Sequence, residues 1–198
     1  MLRCEGMTER IVGALASTLA GRSRVVLSRP EKSVAAVLVP LLTVEGEPHV
    51  LYTRRSALLS EHQGQVAFPG GRHHPDEDRD LQTTALREAH EEIGLAPTDV
   101  RVLGVLDDIE TMATRYVITP YVGVVPYPYE WRPSAAEVDA IFTVPLRVLR
   151  APETLRHEVW DFEGRRVPID TYPVDGHVIW GATQRITQNL LQMLPPLD

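Results

Sequence analysis

Three glutamates crowd one turn of a predicted helix, and this stretch constrains the rest of the chain most strongly. Glu88, Glu91 and Glu92 occupy positions i, i+3 and i+4, which are neighbours on a helix surface. Like charges this close repel and raise one another's pKa values. A hard divalent cation such as Mg²⁺ or Mn²⁺ relieves that repulsion and can also hold phosphate oxygens. The stretch therefore predicts a metal site in preference to a solvated acidic face.

The flanking residues predict where this helix begins and ends. Asp80 or Thr83 can cap its first turn, and Gly94 suits the left-handed position that commonly ends a helix. Arg87, one turn before the second glutamate of the trio, can bridge the acidic side chains and fix their rotamers. Upstream, residues 68–71 read Phe-Pro-Gly-Gly, a tight turn in which backbone groups can approach a ligand closely.

The whole stretch resembles the signature of the Nudix hydrolase family, Gly-x5-Glu-x7-Arg-Glu-U-x-Glu-Glu-x-Gly-U, where U is apolar. Residues 87–95, REAHEEIGL, match its second half at each fixed position. The first half departs from the pattern, because nine residues instead of seven separate Glu77 from Arg87. The loop 72–79 is thus about two residues longer than the family pattern, and Glu77, Asp78 or neither takes the place of the first Glu.

A second stretch is similar to the coenzyme A pyrophosphatase branch of that family. Residues 51–71 read LYTRRSALLSEHQGQVAFPGG. The branch signature is Leu-Leu-Thr-x-Arg-Ser followed by His-x-Gly-Gln-Val-Ala-Phe-Pro-Gly-Gly, and Tyr52 stands where the second Leu is usual. The resemblance implies that Arg55, His62 and Gln65 bind substrate. The alternatives, an arginine in contact with solvent and a structural histidine, stay open.

The resemblance also implies a ligand set and catalytic roles. The implied metal ligands are Glu88, Glu91, Glu92 and the carbonyl oxygen of Gly71. Glu88 and Glu91 are the catalytic candidates, and Arg87 has an orienting role. A further carboxylate after the helix is expected at Glu110 or Glu137, while Glu77 and Asp78 are candidates before it.

The implied reaction is metal-dependent hydrolysis of the phosphoanhydride of coenzyme A, or of its derivatives, to 3′,5′-ADP and 4′-phosphopantetheine. One alternative is the same chemistry on ADP-ribose or dinucleoside polyphosphates. An alternative of another class is a non-catalytic Nudix module that binds a nucleotide. The intact glutamate trio disfavours the module, because the repulsion within the trio serves no purpose without a metal.

Composition excludes several kinds of protein. A net charge of −7 argues against non-specific nucleic-acid binding, which needs a basic surface. The single cysteine, Cys4, excludes an intrachain disulfide framework and a cysteine-based zinc site. No apolar run approaches the roughly 20 residues of a membrane span, and no secretory signal is visible. We therefore expect a cytoplasmic protein without a membrane partner; a homodimer is compatible with these features.

The order of the predicted strands and helices gives an α/β sandwich. The resemblance implies the Nudix fold, in which a mixed β-sheet lies between helices as an α/β/α sandwich. We expect a helical extension and linker over residues 1–32 and the Nudix domain over residues 33–198. The main predicted elements are helices at 8–20, 145–150 and 182–194 and strands at 33–44, 49–54, 116–126 and 140–144.

Overall fold

The structure, a computed structural model, describes residues 2–59, 62–111, 115–162 and 164–196. The helices are α1 (Leu2–Gly21), α2 (Leu81–Ile93), α3 (Leu146–Arg150) and α4 (Gly181–Met193). The strands are β1 (Ser33–Val44), β2 (Glu47–Arg55), β3 (Val66–Ala67), β4 (Gly70–Arg72), β5 (Arg101–Val105), β6 (Ile109–Glu110), β7 (Tyr116–Val124), β8 (Val138–Pro145), β9 (Arg156–Phe162), β10 (Arg165–Val174) and β11 (His177–Trp180). Strands β1 to β8 form one sheet, and β9 to β11 form a smaller second sheet.

The larger sheet is mixed, and its central strand β1 has different partners at its two ends. β1 runs parallel to β7 and antiparallel to β2. The end of β1, residues 41–44, pairs with β2, whereas residues 35–37 pair with β4. At residues 53–54 of β2, β3 takes the place of β1, and β8 pairs along the other edge of β2 over residues 49–55. The segment between β3 and β4 therefore crosses from β2 to β1, and β4 has no second strand partner in the described chain.

Each face of this sheet is covered by helices, which confirms the predicted sandwich. On one face, α2 packs through small and aliphatic residues, Ala85, Ala89 and Ile93, against Leu38 and Leu51. The opposite face holds a second cluster. That cluster includes Ile11, Leu15, Val39, Val50, Ile186 and Leu190. The apolar stripes of α1 and α4 thus bury the strands that carry the site.

The N-terminal helix is longer than predicted, and ion pairs and hydrogen bonds join the segment after it to residues 107–110. α1 begins at Leu2 instead of residue 8. We call residues 22–32 the strap. Its Arg22 pairs with Asp107 at 2.6 Å, its Leu27 N–H donates to Asp108 at 2.9 Å, and its Lys32 pairs with Glu110 at 2.8 Å.

No helix in the described ranges combines the length and apolarity that a membrane span needs.

Helix α2 begins and ends at the residues that its sequence predicts. Of the two candidate caps, Asp80 takes the role, because its carboxylate accepts the Thr83 N–H at 2.8 Å. Gly94 ends the helix with φ 72°, in the left-handed region. These caps fix the length of α2 and so the turn on which the glutamates lie. The hairpin before it differs from expectation, since β2 already begins at Glu47.

Candidate active site

Glu92 is the most buried of the three glutamates, with 5% of its surface exposed. Its Oε2 accepts the backbone N–H of Gly70 at 3.2 Å. The pKa of Glu92 is raised to about 8. Burial is the largest cause and the charges of Glu88 and Glu137 add to it, whereas the Gly70 N–H and the charge of Arg55 oppose it. The protein alone therefore supplies too little positive charge to keep this carboxylate ionised at neutral pH.

Glu88 lies one turn before Glu92, against the Pro-Gly-Gly turn. A side chain at Gly71 would overlap the carboxylate of Glu88, so the missing Cβ lets that carboxylate contact the backbone of β4. Burial raises the pKa of Glu88, although the ion pair with Arg87 at 2.9 Å opposes this. Two neighbouring carboxylates thus both have raised pKa values, as expected for carboxylates that are buried close to one another.

Arg87 is held by a fully buried aspartate from the lengthened loop. Asp78 accepts its Nε at 2.9 Å and its Nη2 at 3.1 Å, and it also accepts the hydroxyl of Thr84 at 2.9 Å. The Arg87 guanidinium holds the pKa of Asp78 well below its usual range. Because protein donors occupy both Asp78 oxygens, this residue positions Arg87. Glu77 beside it is exposed.

Glu91 differs from its two neighbours. Its side chain is 54% exposed and pairs with Arg87 at 3.0 Å. The structure thus brings Glu88 and Glu92 together and places Glu91 at the solvent side of the same helix. Across residues 2–59, 62–111, 115–162 and 164–196, no three Asp, Glu, His or Cys side chains form a preformed metal site.

The backbone register of β4 decides which glycine carbonyl faces the glutamates. The Pro69 carbonyl and the His73 N–H both bond to β1, at 2.9 Å each. Bonded pairs recur every second residue in an antiparallel ladder, so Gly71 belongs to this set and its carbonyl faces β1. Gly70 belongs to the opposite set, and its N–H bonds to Glu92. The Gly71 carbonyl, predicted as the main-chain metal ligand, thus faces β1, whereas Gly70 faces the glutamates. The ligand role itself stays a prediction.

The three predicted substrate-binding residues lie together at the end of β2. The Arg55 N–H donates to the Gln65 carbonyl at 3.0 Å, and His62 Nδ1 lies 2.9 Å from Gln65 Oε1. The Nε of Arg55 is buried and has no hydrogen-bond partner in the described chain. Arg54 differs, because it pairs with Asp139 at 2.6 Å. Arg55 thus offers an unsatisfied buried donor near Glu92.

The two candidate carboxylates after α2 lie in different surroundings. The charge of Glu137 raises the pKa values of both Glu88 and Glu92, so Glu137 lies close to the pair. Its carbonyl accepts the N–H of Ser56 at 2.8 Å, which ties its turn to the end of β2. Glu110 instead has its pKa lowered by a hydrogen bond from Lys32 of the strap. The structure therefore brings Glu137, and not Glu110, to the site.

The donors around the Gly70 turn fit a hard divalent cation. They are carboxylate and carbonyl oxygens, which such ions prefer. The charges of Glu88 and Glu137 raise the pKa of Glu92, so the three carboxylates lie near one another, and the charge of Arg55 lowers that pKa. This excess of negative charge is the property that a bound cation would balance.

Comparisons with known proteins show the family to which this chain is similar. A model described as "NUDIX domain" matches residues 32–168. The human protein named "Mitochondrial coenzyme A diphosphatase NUDT8" is 39% identical over 181 residues, covering 90% of this chain and 75% of that protein. The "Uncharacterized Nudix hydrolase NudL" of Yersinia pestis (strain Pestoides F) is 36% identical over 204 residues, covering 95% of this chain and 99% of its own.

Solved structures agree on the fold. A "MutT/nudix family protein" from Enterococcus faecalis has a TM-score of 0.53 at 13% identity, covering 89% of this chain and 71% of that one. A "NUDIX hydrolase" from Alicyclobacillus acidocaldarius has a TM-score of 0.53 at 22% identity, covering 81% and 91%. Since the family model spans more than half of the chain and carries the glutamate helix within it, the chain belongs to the Nudix family.

Proposed function

We propose that the protein hydrolyses the phosphoanhydride bond of coenzyme A, or of its derivatives, and releases 3′,5′-ADP and 4′-phosphopantetheine. The observation that supports this best is the pairing of buried, cation-poor carboxylates with the unsatisfied Nε of Arg55. The coenzyme A signature over residues 51–71 and the name of the human relative support the choice of substrate.

The ion in this proposal is Mg²⁺ or Mn²⁺. Glu88, Glu91, Glu92 and the Gly70 carbonyl would hold it, with Glu137 as the further carboxylate. When bound, such an ion neutralises phosphate charge and lowers the pKa of its water. The chain's own contribution is to keep these oxygens crowded, through the Gly70 N–H on Glu92 at 3.2 Å and the backbone contact of Glu88.

The remaining site residues bind and orient. Arg55 would donate its free Nε to a phosphate oxygen, which removes the cost of a buried unpaired donor. His62 and Gln65, already bonded to each other, would line the same side of the substrate. Arg87 would orient Glu88 and Glu91, since it contacts both carboxylates.

Turnover of coenzyme A with Mg²⁺ and with Mn²⁺ tests the proposal. We expect wild type to release 3′,5′-ADP and 4′-phosphopantetheine, identified by mass, and Glu92→Gln to be nearly inactive. Glu153→Gln, a change at an exposed glutamate outside the site, is the matched control and should behave as wild type. A wild type no faster than Glu92→Gln on coenzyme A, ADP-ribose and diadenosine polyphosphates would favour the non-catalytic module.

The same assay separates the enzyme alternatives. More efficient release of AMP and ribose 5-phosphate from ADP-ribose than cleavage of coenzyme A would overturn the proposed substrate. A cytoplasmic location and a homodimer stay predictions, which cell fractionation and analytical ultracentrifugation check.

A further inference from the structure

We propose that Arg72 is a specificity-determining residue that pairs with the 3′-phosphate of coenzyme A; this inference rests on the proposed function. Arg72 directly follows Gly71 in β4, at the strand edge that faces Glu88 and Glu92. Its side chain is exposed, and in the described chain it has no acidic partner. A cation therefore lies free beside the place where the diphosphate would bind.

Other cations near this edge are already neutralised. Their ion pairs are Arg54–Asp139, Arg87–Asp78 and Lys32–Glu110. Arg55 lies beside Glu92, and its charge lowers the pKa of that carboxyl. Arg54, Arg87 and Lys32 are therefore engaged, and the free Nε of Arg55 is already assigned to the diphosphate. The guanidinium of Arg72 keeps its hydrogen-bonding capacity for a further group of the ligand.

The alternation of β4 places Arg72 away from the glutamates. The Cβ direction of Gly71 points at Glu88 on α2, so the next side chain, Arg72, projects to the opposite face of the strand. Its neighbour across the ladder is Ala35, which leaves room for a long side chain. A phosphate that approached from this face would avoid the acidic set.

The chemistry of the substrate requires such a cation. A phosphate monoester has a charge of about −1.5 to −2 at pH 7. A metal on the diphosphate does not balance this additional charge, so a separate cation is needed to bind the 3′-phosphate. An arginine can donate hydrogen bonds to two of its oxygens at once, whereas a lysine acts as a point charge. The Arg72 carbonyl accepts from Arg87 whatever side chain is present, so substitution leaves that backbone contact in place.

The test compares coenzyme A with dephospho-coenzyme A, which lacks only the 3′-phosphate, in wild type, Arg72→Gln and Arg72→Lys. In Arg72→Gln we expect kcat/KM for coenzyme A to fall about 10- to 100-fold, mainly through KM. We expect a fall of at most about twofold for the dephospho analogue, and Arg72→Lys to lie between. Inhibition by 3′,5′-ADP should weaken in parallel, and inhibition by AMP should not.

A matched control removes one charge elsewhere. Arg166→Gln, at an exposed arginine in β10 of the small sheet, should leave the ratio between the two substrates unchanged. Equal losses on both substrates in Arg72→Gln, or no loss on either, would overturn the inference while leaving the proposed function intact. A wild type that cleaves neither substrate would overturn both, and the Glu92→Gln comparison identifies that case.

Discussion

Two acidic regions of this protein contrast in how their charge is balanced. In the strap region, Asp107, Asp108 and Glu110 each meet a cation from residues 22–32, and hydrogen bonds from Lys32 and Arg29 lower the pKa of Glu110. At the site, burial raises the pKa values of Glu88 and Glu92. In the first region each carboxylate has its own cation, whereas in the second Glu88 and Glu91 share Arg87 and Glu92 has no ion pair in the described chain. The contrast teaches that crowded carboxylates indicate a ligand where the chain supplies fewer cations than carboxylates.

Removing a site carboxylate should have the largest effect on activity. Glu92→Gln keeps the shape of the side chain and removes its charge, so we expect kcat on coenzyme A to fall about 100- to 1,000-fold. Asp107→Asn in the strap should change kcat less than about twofold, as is usual away from a functional site. Steady-state kinetics at saturating Mg²⁺ measure both, and comparable losses in the two variants would contradict the contrast.

Asp78 combines features of both regions. It is ion-paired, like the carboxylates of the strap region, but its partner Arg87 belongs to the site. Asp78→Asn leaves the partly buried Arg87 without its ionised partner, so we expect a loss of about 3 kcal/mol in the free energy of unfolding. Activity should fall about 10- to 100-fold, since Arg87 orients two glutamates. Urea unfolding and kinetics measure these effects. Glu77→Gln, one residue away and exposed, is the control and should change neither.

The pH dependence of stability should also differ between the regions. Because the pKa of Glu92 in the folded protein, about 8, lies above that of the unfolded chain, its stabilising contribution is present at low pH. It is lost as the pH rises from about 4.5 towards 8. Without metal, Glu92→Gln should therefore have a higher Tm than wild type at pH 8.5 and a similar Tm near pH 5. Calorimetry in EDTA measures this, and a pH-independent difference would count against it.

The smallest expected effect is the change in stability caused by a substitution at an ion pair of the strap. Asp107→Asn weakens a partly exposed pair with Arg22 and should lower the free energy of unfolding by about 1 kcal/mol. Salt should reduce the difference between this variant and wild type, because exposed pairs are screened. Unfolding at low and high ionic strength measures this. A salt-independent loss would show that packing, and not charge, holds the strap.

The sequence predicted the local features of the site well and the non-local ones poorly. The ends of α2 follow from Asp80 and Gly94, which act within one turn of their own positions. Asp78 could be named only as a candidate for the place of the first Glu in the signature, because its contact with Arg87 depends on the path of the lengthened loop. The choice between Gly70 and Gly71 depends on the register of β4 against β1, and a shift of one residue reverses it.

The sequence could not show which of Glu137 and Glu110 lies at the site, because this too depends on contacts between residues far apart in the chain. Both follow α2 at plausible distances along the chain. The structure distinguishes them through contacts that are remote in sequence, the N–H of Ser56 on the turn of Glu137 and Lys32 on Glu110. Burial of the N-terminal helix was predictable from Leu15 and its neighbours, but the ion pairs of the strap were not.

The close approach of Gly71 to Glu88 offers a practical tool. Gly71 does not require a left-handed backbone, so alanine is sterically tolerated by the strand itself, yet its methyl group would displace the Glu88 carboxylate. One added carbon could thus yield an intact but inert protein whose formal charge is unaltered. Such a variant would suit the capture of bound nucleotides from solution, or the growth of crystals with uncleaved substrate.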